Sequence, residues 1–374
     1  MRSLKIKDIC DKGSSNLKQK DVEGKQGKYP VFGASGYISS IDSYHQDKDY
    51  IAIVKDGSGI GRVSFMPAYS SVIGTLQYIL PKKGFDIKYI SYCLQSLDLS
   101  KYKQGAAIPH IYFRDYGERF VNVEDDENEQ HRIVELLDAE FAKIDAIKQN
   151  AEKQLQWAKD LFQSALKDLL TPKEGWERNL LGHFISNLRT GLNPRTHFKL
   201  NTDDASGYYI TVRELHGFDI VPDAKTDRVN QQALERINKR SNLLIGDVLF
   251  SGTGTIGNTA LVTKFPENWN IKEGIYALTP KHNLVNSRFL IYLISSKYFL
   301  NIALKEAEGT GVKSIPMKRF VKLLISLPSL GEQQFIVQKL DTLSEKVKQL
   351  QSNYEKTIAL CNDLKQSLLK DIFG

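Results

Sequence analysis

Apolar residues recur every seven positions in two long stretches of the chain. In the first, Leu137, Ile144, Ala151, Ala158 and Ala165 keep that interval, with Phe141, Leu155, Phe162 and Leu169 between them. In the second, Leu340, Val347, Tyr354, Cys361 and Leu368 keep it, with Leu343, Leu350 and Leu364 between. This alternation of threes and fours gathers the apolar side chains on one side of a helix, as in the seam of a coiled coil. Acids from Glu124 to Glu129 favour the positive N-terminal end of the first helix. Thr171-Pro172 stops it, since proline cannot continue a helix, and Pro328 precedes the second. About 42 residues at about 1.5 Å rise make a rod on the order of 60 Å long. One rod cannot bury its own seam. Two such rods in one chain most simply pair with each other; pairing of each with a second chain is the alternative.

The two helices are copies. "EQHRIVELLDAE" begins at Glu129 and "EQQFIVQKLDTL" at Glu332, an offset of 203 residues. Glu129/Glu332, Gln130/Gln333, Ile133/Ile336, Val134/Val337 and Asp138/Asp341 are identical pairs. The offset holds without a gap to "KDLFQSALKDLL" (159–170) and its counterpart "CNDLKQSLLKDIF" (361–373). A fixed period of this kind is the mark of an internal duplication.

The segments ahead of the helices correspond more loosely. "VKDGSGIGRVSF" (54–65) parallels "FSGTGTIGNTALV" (250–262), and "KYISYCLQS" (88–96) parallels "SRFLIYLISS" (287–296). "AIPHIYF" (107–113) parallels "SIPMKRF" (314–320), and "FVNV" (120–123) parallels "LISLP" (324–328). Here the apolar pattern is short and alternating, broken by glycine and polar turns, as for strands with one or two helices. The expected fold is therefore α+β: two similar globular domains, each followed by a long helix, the helices pairing as an antiparallel coiled coil. The expected segments are 1–125, 126–171, 172–328 and 329–374.

Gly252, Gly254 and Gly257 spell G-x-G-x-x-G after an apolar run, and Phe250, Gly252 and Gly254 spell the F-x-G-x-G of methyl-donor sites. Glu273 lies about where a ribose-binding acid would sit. The duplication argues against both cofactor readings. Each copy of the loop leads into an alternating β-branched segment, whereas a phosphate-binding glycine turn opens a helix. No Pro-Pro dipeptide is present to hold an adenine for amino methylation. "VPDAK" (221–225) is a weak echo of a nuclease carboxylate motif and reads more plainly as a polar loop. The histidines are scattered, and no nucleophile elbow or metal-binding spacing appears. The sequence offers no enzyme and no cofactor of its own.

Charge gives the globular segments a purpose. Residues 1–123 carry 18 Lys and Arg against 12 Asp and Glu, and residues 171–328 carry 21 against 14. The helix between them, 124–170, is acidic, with 6 against 12. Two basic globular segments attract polyanions, nucleic acid foremost; ordinary lysine usage is the plainer alternative. Small-residue loops beside cations suit close approach to a phosphate backbone, with polar side chains left to read base edges. The candidates in the first segment are Gly36, Tyr37, Lys55, Ser58, Arg62, Lys103, Gln104 and His110. Those in the second are Arg189, Arg195, Arg213, Thr253, Thr255, Asn258 and Lys313. For helix pairing and partner docking they are Leu137, Ile144, Leu155, Phe162, Leu340, Val347, Tyr354 and Leu364. Three distant cysteines, no apolar run of 18 residues and no apolar leader point to a cytoplasmic protein with inert thiols.

These features together resemble the specificity subunits of type I restriction–modification systems. The resemblance spans the chain. It rests on the domain–helix–domain–helix order, on "EQHRIVELLDAEFAKID" and "GEQQFIVQKLD", and on "YPVFGASGYISSIDSY", "GSGIGRV", "GTGTIGNTAL" and "GWERNLLGHFI". It implies that each domain reads one half of a split double-stranded DNA target. It also implies that helix length sets the gap between half-sites, and that two modification subunits dock on the helices and methylate adenine. Motor-nuclease subunits join for cleavage. S-adenosylmethionine, ATP and Mg then belong to the partners, and this chain is non-catalytic. A specificity subunit of a fused restriction-methyltransferase system is a second reading; a coiled-coil scaffold with protein-binding heads is a third.

Overall fold

The computed structural model describes residues 1–105 and 109–374. Two compact units divide the chain. One comprises residues 1–153 and 354–374, the other 154–353. The two long helices, Glu127–Leu170 and Leu330–Phe373, have 44 residues each, and each contributes to both units. The units are thus not coextensive with the four expected segments.

In the first unit a four-stranded antiparallel sheet runs in the order Cys10–Ser14, Leu76–Pro81, Tyr50–Val54, Val63–Met66. Tyr50–Val54 is apolar at every position and buried throughout. That is what a strand covered on both faces requires. Helix Ile87–Gln95, capped by Asp86 accepting from the Tyr89 amide, belongs to the same buried cluster as Ile51, Ile53 and Ile79. A smaller sheet, Gly36–Ile41 with Tyr29–Gly33 and Ser71–Val72, lies alongside. The second unit repeats the main sheet in the order Ile185–Thr190, Ile275–Pro280, Val248–Ser251, Thr259–Leu261. It repeats the helix as Ser287–Ser295. The short helix Gln19–Val22 after the first strand recurs as Pro194–His197, and the second unit adds Gln231–Ser241, which has no counterpart among the described residues of the first.

Within each unit a globular domain is fastened to the start of its own long helix by the residues that are identical in the two copies. Gln130 is fully buried; its Oε1 accepts from the Asp86 amide at 2.7 Å, and its Nε2 donates to Gly84 and Glu124 carbonyls. Gln333 does the same with the Asn286 amide at 2.9 Å and the Leu284 and Pro328 carbonyls. Asp138 receives Tyr92 and Lys88; Asp341 receives Tyr292 and Arg288. Backbone polar groups cannot be buried unpaired without cost, so a buried glutamine here has a structural reason in both halves.

The helix seams hold Leu137, Ile144, Leu340 and Val347, all buried. In the first unit the two helix segments run antiparallel, since Asp145 pairs with Lys365 and Lys148 with Asn362. Leu137 shares a buried cluster with Leu369 and Phe373 there, and in the second unit Leu340 shares one with Leu166 and Leu170. These sets are related by the 203-residue offset. Toward the helix ends the heptad reading fails. Leu166 and Leu170 are buried rather than the expected Ala165 and Leu169. From Leu137 to Leu170 the stripe advances 33 residues in nine turns, about 3.67 per turn and close to a straight helix. The cause is that the helix ends pack on a globular core as well as on each other. Leu364 stands 50% exposed, outside the seam; Leu155 and Tyr354 are half-buried; Phe162 packs on Phe218 and Tyr292 of the second domain.

Candidate nucleic-acid interface

The glycine-rich loops are turns between antiparallel strands in both units. Tyr50–Val54 pairs with Val63–Met66 across one, and Val248–Ser251 with Thr259–Leu261 across the other. Gly57, Gly59, Gly61, Gly254 and Gly257 take positive φ, which a turn this tight demands of its backbone. Gly252 is needed for space: a Cβ there would lie 2.3 Å from the Tyr276 ring. Neither loop opens a helix, as the duplication implied.

Each loop is crossed by a second one in the same way. The Gly57 amide donates to the Pro109 carbonyl, and the Ile111 amide to the Lys55 carbonyl. In the other unit the Gly254 amide donates to Lys313 and the Ile315 amide to Gly252. Ile111, not Ile108, is therefore the counterpart of Ile315. The sequence pairing of "AIPHIYF" with "SIPMKRF" is three residues out of register, and residues 107 and 108 of it lie outside the described residues. Gln104 bridges to His110 as Glu308 bridges to Ser314.

Around the first crossing the candidates come together. Asp56 bonds His110 Nδ1 at 2.7 Å and also Lys55. Gln104 donates to Asp115, and Arg62 donates to the Ala34 carbonyl, which brings it beside the hairpin tip that carries Gly36 and Tyr37. Tyr37, Ser58, Arg62, Lys103 and Gln104 are exposed. Around the second crossing, Thr253 Oγ1 meets Ser314 Oγ at 2.8 Å, and Thr255 and Lys313 are exposed. A cleft of about 520 Å³ beside it also takes in Arg195, with Arg240 and Lys272, which sequence reasoning missed. Arg240 lies on Gln231–Ser241, and nothing in a single sequence brings that helix to the loop.

Three candidates have internal work. Arg189 is 9% exposed and pairs with the fully buried Asp247 at 2.6 Å, so it is withdrawn from the DNA-facing set. Asn258 Nδ2 faces the Val212 and Leu215 carbonyls. Arg213 bonds Glu214 at 2.9 Å and the Lys225 carbonyl, while its side chain stays 55% exposed. Burial would raise the pKa of Glu214, but hydrogen bonds from Thr211 and Arg213 prevail and hold it below the ordinary carboxylate value. Among the described residues there is no cluster of potential metal ligands and no helix long and apolar enough to cross a membrane.

Type I restriction modification DNA specificity domains match this chain over residues 1–156 and 174–359. The chain belongs to that family. It is 24% identical over 269 residues to the EcoBI type I restriction enzyme specificity subunit of Escherichia coli. That match covers 66% of this chain and 56% of the relative, so the chain spans little more than half of the curated protein it resembles. A chain from a structure described as the basis of complex assembly and conformational transition of the type I R-M system shares the fold. It is 17% identical, with a TM-score of 0.70 over 98% of this chain and 96% of that one.

The long helices also carry apolar side chains that face outward. Ile147, Leu360 and Leu364 are at least half exposed in the first unit. Leu350, Trp157 and Leu161, each 203 residues away from one of these, are exposed in the second. Scattered exposed leucines mean little, but the same positions exposed in both copies mark a repeated surface.

Proposed function

We propose that the chain is a non-catalytic DNA specificity subunit. Its two recognition domains, 1–125 and 172–328, each read one half of a bipartite duplex target. The helical regions 126–171 and 329–374 set the spacing and receive the subunits that methylate adenine and cleave. The observation that carries this reading is the pair of fold-equivalent loop crossings in two basic domains of one chain. One scaffold is used twice with different side chains at its tip, as two readers of unlike half-sites require. The two equivalent apolar helix patches support two copies of the same modification subunit. S-adenosylmethionine, ATP and Mg reside in those partners and in the motor-nuclease subunits, and the setting is the cytoplasm.

The test is duplex binding with the modification subunit present. Affinity falls steeply with salt if several phosphates are neutralised. Exchange of residues 1–125 for another recognition domain changes one half of the bound sequence and leaves the other. A change in both halves contradicts two independent readers.

A further inference from the structure

Glu273 is the residue that the cofactor reading singled out and that the fold leaves unexplained. It sits in the turn 272–274, between Trp269–Ile271 and Ile275–Pro280. The turn is fixed. The Lys272 amide donates to the Ile210 carbonyl, the Gly274 amide to Thr190 Oγ1, and the Gly274 carbonyl accepts from Gly252. Gly274 has a φ of 92°, and a Cβ on it would lie 2.8 Å from the Thr253 side chain, so the turn is pressed against the glycine loop. Glu273 is exposed and lines the same cleft as Arg195, Arg240, Lys272, Thr253 and Ser314.

The electrostatics of this arrangement are unusual. Arg195, Arg240 and Lys272 are exposed, and no side-chain partner of theirs is found among the described residues. Glu273 forms no ion pair among the described residues either, although three cations line its cleft. By contrast Asp56, at the first crossing, is ion-paired with Lys55 and hydrogen-bonded to His110. The first domain has no acid at the matching turn. The Lys55 amide donates to Thr75 as Gly252 donates to Gly274, which sets Ile73-Gly74 opposite Lys272-Glu273. A carboxylate in a phosphate-binding cleft repels the backbone it approaches. What duplex DNA offers it in compensation is an exocyclic amino group in the major groove.

We propose that Glu273 reads one base pair of the second half-site by accepting a hydrogen bond from an exocyclic amino group, cytosine N4 or adenine N6. Arg195, Arg240 and Lys272 hold the adjoining phosphates. The carboxylate thus selects in two ways: it rewards the correct pair and weakens the grip on all others. This inference rests on the DNA reading above.

The experiment uses the chain assembled with its modification subunit. Glu273→Ala and Glu273→Asp variants are compared with the parent by sequencing adenine methylation in the host genome and by binding to a random duplex. Glu273→Ala, which removes both the acceptor and the charge, relaxes a single position of the second half-site, with discrimination there falling about tenfold, and binds random duplex more tightly. Glu273→Asp, which keeps the charge, retains the weak binding to random duplex. Relaxation at a C·G pair identifies cytosine, at an A·T pair adenine. An unchanged motif, or loss spread over the whole half-site, overturns the proposal. If the parent assembly methylates no split motif and binds no duplex, the DNA reading itself fails.

Discussion

Replacing Gln333 with alanine isolates the contact that fastens the second recognition domain to its helix. Gln333 is fully buried and satisfies three backbone groups: the Asn286 amide and the Leu284 and Pro328 carbonyls, at 2.9, 3.0 and 2.9 Å. Alanine leaves all three without that partner. At about 1 kcal/mol for each buried group the loss is about 3 kcal/mol, against which the better helix propensity of alanine returns a few tenths. The three tryptophans, Trp157, Trp176 and Trp269, all lie in the second unit, so their fluorescence reports its unfolding. With a urea dependence of about 2–3 kcal/mol/M the midpoint falls by about 1 M. Gln334→Ala, exposed on the same helix, is the control. A midpoint for Gln333→Ala no lower than that of the control refutes the reasoning.

Trp157→Asp and Leu360→Asp each place a charge on one of the two equivalent helix patches; native mass spectrometry of the assembly shows two modification subunits for the parent, one for each variant and none for the pair. Arg189→Ala leaves the buried Asp247 without its cation and costs about 3–5 kcal/mol in a denaturation experiment. Arg195→Ala leaves stability within about 0.5 kcal/mol and lowers the salt slope of duplex binding by about 1. Burial raises the Cys93 thiol to about 12 and moves Cys10 in the same direction, so iodoacetamide at pH 8 labels neither until the protein is unfolded.

The long helices were legible because their signal is local and doubled: a periodic seam, marked ends and one offset kept for more than forty residues. The strand–turn–strand nature of the glycine loops was legible for the same reason, since the weaker copy excluded a helix after the stronger one. What was lost depends on contacts distant in the chain. Arg189 looked like a free cation because Asp247, 58 residues on, gives no sign of burial. Arg240 and Lys272 reach the cleft only through the fold of the second domain. Gln130 and Gln333 were visible as identities, but their role lies in backbone groups that no residue pattern displays. Leu364 fell in the expected heptad yet faces outward, because the stripe drifts toward 3.67 residues per turn where the helices meet globular cores.

The central claim is that this chain dictates where a modification assembly acts on DNA. Sequencing adenine methylation across the source genome, with and without the gene for this chain and with its partner genes active, tests it most directly. The account predicts that one split motif, two short half-sites separated by a fixed gap, is methylated in the parent and unmethylated in the deletion strain. A methylation pattern that does not change when the gene is removed would contradict it.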